Sequence, residues 1–257
     1  MISGYPIWLV LLIGIGVFAA GFVDAIGGGG GIISVPVYLL AGLPAHLALG
    51  TNKMSSCIGT SVSTLRYLKN GFVNWKLAIP SAALAMIGSF LGNRIQLSMD
   101  ERILKYVLLI VLPLAAFALF RQKSLPETPG EIAAPKQSAI IWIASFLIGM
   151  YDGFYGPGTG TFLLLVYCGL AKMDVRTASG NVKIVNFSSN VAALTSALLA
   201  GKVLILIGGI AACFSIAGHY FGSGLAIKNG SRIVRPVIFA VLFLLMLRVT
   251  LELIGVV

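Results

Sequence analysis

The sequence predicts an all-α polytopic membrane protein of two inverted repeats, five helical segments each, with broken or re-entrant helices at its glycine-rich stretches. Three observations carry this. Of 257 residues, 58% are hydrophobic and 10% charged, with a mean hydropathy of +0.99, whereas soluble domains are about one-quarter charged. Apolar segments of about 17–25 residues, the length that crosses a bilayer, recur along the chain. The chain also repeats itself, as many polytopic membrane proteins do.

In order, the first half reads as segments at about 7–24, 32–43, 46–68, 77–97 and 103–120, and the second as 138–153, 160–171, 177–200, 203–226 and 233–254. This gives a first membrane repeat over 1–120, a hydrophilic linker loop over 121–137 ("RQKSLPETPGEIAAPKQ") and a second membrane repeat over 138–257. The opening segment lacks a basic n-region and belongs to the repeat, so it reads as a retained span and not a cleaved signal. The second segment of each half, at about a dozen residues, is too short for hydrocarbon of about 30 Å and reads as a half-helix or re-entrant piece. If it returns the chain to the side it came from, an odd number of crossings leaves the two halves inverted.

The repeat is visible residue by residue. "GFVDAIGGGG" (21–30) aligns with "GMYDGFYGPG" (149–158) at an offset of 128, pairing Asp24 with Asp152 and Gly28 with Gly156. After a two-residue insertion the offset is 130, pairing Lys53 with Lys183, Gly88 with Gly218, Gly92 with Gly222 and Arg102 with Arg232. Taking the N-terminus as outside places Arg66, Lys69, Lys76, Arg121, Lys123, Lys136, Lys172, Arg176, Lys228, Arg232 and Arg235 on inner loops. Arg94, Arg102, Lys105, Lys202 and Arg248 then lie outside, a ratio of eleven to five that the positive-inside rule favours.

The charge of +10 is scattered between apolar spans and forms no basic run with interleaved aromatics, so nucleic acid is not an expected partner. Walker, His-Glu-x-x-His and Gly-x-Ser-x-Gly signatures are missing; no enzyme, cofactor or metal is expected. Cys57, Cys168 and Cys213 lack metal-ligand spacing and read as small packing residues. His46 and His219 do not correspond in the repeat and read as ordinary residues near span ends.

Two stretches combine glycines with an intramembrane carboxylate. Gly28, Gly29, Gly30 and Gly31, and likewise Gly158, Thr159, Gly160 and Thr161, cannot continue a helix cheaply, so the chain should break and restart at about Ile32 and Thr161. A restarted helix presents unpaired N–H groups and partial positive charge, which suit an anion. Packing glycines or a tight hairpin are the plainer alternative.

Lys53 and Lys183 fall inside spans, where an ammonium is costly unless it faces a cavity or a partner. Thr51, Asn52, Asn181 and Asn186 sit beside them as further hydrogen-bonding groups. The lysines read either as ligand contacts or as structural pairs, Asp24 with Lys53 and Asp152 with Lys183. Asp24 and Asp152 could equally orient the lysines, carry a coupling proton or sit near the interface. Gly88-x-x-x-Gly92 and Gly218-x-x-x-Gly222 read as helix-packing motifs that also permit a homodimer.

The stretches from "AGFVDAIGGGGGIISVP" through "GTNK" and from "GMYDGFYGPGTG" through "SGNVK" resemble the TauE/SafE family of sulfite exporters and organosulfonate permeases, over nearly the whole chain. The resemblance implies a multi-pass protein of the cytoplasmic (inner) membrane with sulfur-containing oxyanions as substrates; the residues alone reach only a small anion. The expectation is a secondary transporter holding the anion midmembrane between two broken-helix N-termini. An anion-selective channel, or a permease for another small carboxylate or anion, is the alternative.

Overall fold

The computed structural model describes residues 5–100 and 128–253. Among them are nine α-helices and no strand: α1 (Ile7–Gly27), α2 (Gly31–Leu40), α3 (Ala45–Lys69), α4 (Trp75–Ser98), α5 (Ala134–Phe154), α6 (Thr159–Gly169), α7 (Val175–Leu199), α8 (Ile205–Asn229) and α9 (Ser231–Leu253). The expected segment at 103–120 and most of the linker lie outside the described residues. Helix α5 starts inside the expected linker, so Lys136 belongs to its first turn.

Each half opens with the same rhythm of lengths: 21, 10, 25 and 24 residues for α1 to α4, and 21, 11, 25 and 25 for α5 to α8. At about 1.5 Å per residue, α2 and α6 are about 15–17 Å long, half of a hydrocarbon core. Among the described residues, four helices (α1, α4, α7 and α8) are long and apolar enough to cross a membrane. Helix α3 is as long, but Thr51, Asn52, Lys53, Ser55, Thr60 and Ser63 interrupt its apolar character, and all six are buried. The outside is the reverse: Trp8, Ile15, Leu40, Ile79, Leu199 and Ile205 are exposed. A polar interior inside an apolar surface suits lipid and not water.

The helices do not group by halves. Helix α1 packs against α8, and α4 against α5; α3 lies on α8, α7 lies on α4, and α3 meets α7. Two bundles result. One holds α1, α2, α3, α8 and α9, the other α4, α5, α6 and α7, with α3 against α7 as the main seam between them.

The GxxxG pairs explain this exchange. A Cβ on Gly88 or Gly92 would strike the carbonyl oxygens of Phe146 or Met150 on α5, and one on Gly218 or Gly222 those of Phe18 or Phe22 on α1. Residues 18 and 22 lie 128 before 146 and 150, so the same backbone contact is made twice with the halves exchanged. Both motifs are thus occupied within the chain and are not a surface awaiting a second copy.

Substituting Gly92 or Gly222 by Val should therefore lower the unfolding midpoint in detergent, overpacking costing about 1–3 kcal/mol. Gly209→Ala should leave it unchanged or raise it, since that Cβ meets only Met54 Cε, at 3.9 Å, and alanine favours a helix.

Candidate functional site

Helix α1 ends where Gly28 turns to φ +78°, and the chain leaves α5 through Gly156 at φ +97°. These two glycines are equivalent in the repeat, and both occupy the left-handed region that side chains rarely adopt. The two breaks touch. A Cβ on Gly28 would collide with the Gly160–Thr161 backbone, and one on Gly31 would lie 3.1 Å from Pro157 Cα. Thr161 Oγ1 donates to the Gly27 carbonyl at 2.8 Å, pinning the end of α1 to the start of α6. Asp24 Oδ1 accepts from the Gly30 N–H at 3.2 Å, holding the entry to α2.

Both restarts open on one cavity of about 30 Å³, larger than the roughly 10–15 Å³ that one water needs. Gly30 and Gly31 line it from the first break, and Gly156, Thr159 and Gly160 from the second. Asn52 and Lys53 reach it from α3, Asn186 and Asn190 from α7, and Asp24, Asp152 and His219 complete its charged wall.

Two buried ion pairs border the cavity. Lys53 Nζ lies 2.8 Å from Asp152 Oδ2 and donates to Asn190 Oδ1 at 3.2 Å. Lys183 Nζ lies 3.2 Å from Asp24 Oδ2 and donates to the Asp24 carbonyl as well. The within-half pairing expected from the sequence, Asp24 with Lys53 and Asp152 with Lys183, is overturned: each lysine takes the carboxylate of the other half. Each pair joins the two bundles, Lys53 on α3 with Asp152 on α5 and Lys183 on α7 with Asp24 on α1. Both pairs therefore bridge the seam.

Three polar atoms in the cavity wall have no hydrogen-bond partner in the protein: Asn52 Oδ1, Thr60 Oγ1 and Asn186 Oδ1. All three residues are at least nine-tenths buried, and buried polar groups without partners are uncommon and costly.

The remaining candidates from the sequence lie behind the wall. Gly28, Gly29 and Thr161 pack the breaks together, and Gly158 caps α6 in a left-handed turn. Thr51 Oγ1 accepts from Leu204 N–H at 3.0 Å at the start of α8, and Asn181 Nδ2 donates to the Thr177 carbonyl at 2.8 Å. Lys183 stands behind Asp24.

Some residues escaped sequence reasoning. His219 is 2% exposed and lines the cavity, which corrects its expected place near a span end; His46 does lie at the start of α3, with Nδ1 2.6 Å from Gln96 Nε2. Ser56, Thr60 and Asn190 were also missed, though a signal existed. Lys53, Ser56 and Thr60, like Lys183, Asn186 and Asn190, are spaced i, i+3, i+7, which sets each trio on one helix face. Cys57 and Cys168 are buried as expected, whereas Cys213 is exposed on α8. Among the described residues no cluster of His, Cys, Asp or Glu gathers to hold a metal.

A family profile described as "Sulfite exporter TauE/SafE" matches residues 12–249. The chain is 33% identical over 243 residues to a "Probable membrane transporter protein ORF9" of Sinorhizobium sp., covering 93% of this chain and 92% of that one. It is 32% identical over 231 residues to a "Probable membrane transporter protein" of Haemophilus influenzae, covering 89% of each. To "Probable membrane transporter protein YfcA" of Escherichia coli it is 29% identical over 235 residues, covering 90% of this chain and 87% of that one. No solved structure matches the chain.

Double-mutant cycles on thermal stability test the crossed pairing. Lys53→Met with Asp152→Asn should couple by about 0.5–3 kcal/mol, the range for residues in contact, and Lys53→Met with Asp24→Asn by less; the opposite order would show that the within-half pairs form.

Proposed function

Since the chain belongs to the sulfite exporter TauE/SafE family of membrane transporters, we propose that it is a secondary transporter of small sulfur-containing oxyanions, sulfite and sulfonates, in the cytoplasmic membrane. In this reading the two halves are inverted repeats with the N-terminus outside, and the anion sits midmembrane between the α2 and α6 restarts.

One observation supports this above the rest. The N-terminal residues of both short helices, the Lys53 ammonium and three unpartnered buried polar groups share a single cavity. Helix N-termini and an ammonium attract negative charge, and a sulfur oxyanion offers several acceptor oxygens to donors that converge from different directions. Paired half-helices meeting at the midplane are a recurrent way to build such a site. The amides of Asn52 and Asn186 can turn their N–H ends to the guest, because amide orientation follows the hydrogen-bond network around it.

Alternating access would part the two bundles along the seam between α3 and α7, and the crossed ion pairs stand across it. Opening therefore requires another partner for each released charge. A bound anion supplies one for Lys53. Direction follows from the membrane potential: with the cytoplasm negative, an anion leaves downhill by about 2.3 kcal/mol per charge per 100 mV, whereas uptake needs a coupled cation.

Proteoliposomes tested with sulfite, thiosulfate, taurine, isethionate and sulfoacetate should show saturable flux and counterflow for at least one of them. Unsaturating current would indicate a channel instead. A charge-assisted hydrogen bond is worth about 1.5–3 kcal/mol, so Lys53→Ala should weaken apparent affinity by about tenfold or more. Near-normal transport in Lys53→Ala and Lys183→Ala would remove both lysines from the site.

A further inference from the structure

The two sides of the cavity are not equivalent. Asp152 has Lys53 beside it and accepts from Ser189 Oγ at 2.8 Å; Ser89 on α4 stands next to them, its hydroxyl donating to the Ser189 carbonyl at 2.7 Å. Around Asp24 the corresponding places, at the offset of 130, hold Gly59 in place of Ser189 and His219 in place of Ser89. The two changes compensate. A Cβ on Gly59 would collide with the His219 ring, and one on Gly21 would lie 3.0 Å from its Cδ2, so the imidazole fills room that two glycines leave.

The hydrogen-bond network assigns the ring's tautomer. Ser63 Oγ donates to the Thr60 carbonyl at 3.0 Å, and its contact with His219 Nδ1 at 3.1 Å then takes Nδ1 as the donor. Nε2 is left unprotonated, 3.9 Å from Asp24 Oδ2 and at the cavity. A ring held in this way has one open position for a proton, with a carboxylate in place to receive the resulting charge.

We propose that His219 is the proton-coupling residue: Nε2 takes one proton from the side on which the anion enters and gives it up on the other, so that anion and proton cross together. This rests on the anion-transport reading above. Lys53, Lys183, Asp24 and Asp152 sum to zero charge, so a lone monoanion leaves the enclosed site at minus one, and an imidazolium restores neutrality. Only the Nε2–H bond forms and breaks. The imidazolium also shares Asp24 Oδ2 with Lys183, loosening one of the two ion pairs that cross the seam.

The charges facing His219 are few. Helix α1 contributes Asp24, and Lys183 of α7 approaches across that same carboxylate. On α3, Lys53 is committed to Asp152, and Arg66 is turned to the Tyr220 carbonyl. Arg232 and Arg235 of α9 lie past the end of α8 at Asn229, about 15 Å along that helix from His219. Lys228 is at the same far end.

The test uses isethionate and thiosulfate, which stay ionised near neutral pH, so any proton moved with them is moved by the protein. With an acid exterior, wild-type proteoliposomes should accumulate isethionate toward the limit of about tenfold per pH unit that one-to-one coupling sets, and a trapped pH dye should report the entering proton. His219→Gln, which keeps a donor for Ser63 but cannot become charged, should lose that accumulation while measurable counterflow persists. His219→Ser, which copies Ser89 of the other half, should behave alike and guards against a packing defect in the glutamine variant. Undiminished accumulation in both variants, or wild-type net uptake of isethionate without proton entry, would overturn His219 coupling and leave the transport reading standing. Carriage of neither of these anions, nor of sulfite, taurine or sulfoacetate, by the wild type would overturn both.

Discussion

Two ammonium groups and two carboxylates meet in the middle of this protein, and the rest of the architecture follows from having to keep them there. Each ion removed from water costs several kcal/mol even after relaxation, and a partner recovers that only in good geometry with further hydrogen bonds. Here the supplements are present: Asn190 on Lys53, Ser189 on Asp152, the Gly30 N–H on Asp24 and a carbonyl on Lys183. Most of these come from a different helix than the ion they serve. The charges therefore oblige helices far apart in sequence to converge, and the broken helices bring backbone N–H and carbonyl groups to the same depth.

Much of this was legible in the chain. The glycine-broken helices, the short α2 and α6, and the buried lysines all follow from composition and from the repeat at 128 and 130. The pairing of charges was not, because an offset states which residues are equivalent and says nothing of which ones touch. Asp24 and Lys53 lie on helices of the same bundle, yet each takes its partner from the other bundle. His219 was hidden for a related reason. Its counterpart is Ser89, so matching the halves for repeated residues passes over it, as it does over Gly59 opposite Ser189. The polar face of α3 and α7 was open to view at i, i+3, i+7 but lies inside an apolar-looking span, where attention goes to the charges first.

The backbone and the side chains obey different rules here. Backbone contacts repeat closely: Gly50 against the Lys202 carbonyl is matched by Gly180 against that of Phe72, as the GxxxG contacts match each other. The repeated contacts give equivalent residues of the two halves similar backbone surroundings. Side chains at 59, 89, 189 and 219 break that equivalence at the cavity, which gives its two flanks different chemistry without disturbing the frame.

The exchange of helices also dictates an order of assembly. Helix α1 emerges first and its packing partner α8 almost last, while Asp24 must await Lys183 on α7 and Lys53 must await Asp152 on α5. During synthesis the early helices therefore lodge in the bilayer with their charges unmatched and their glycine faces uncovered. The long helices of each half thus find their main packing surfaces on helices of the other half.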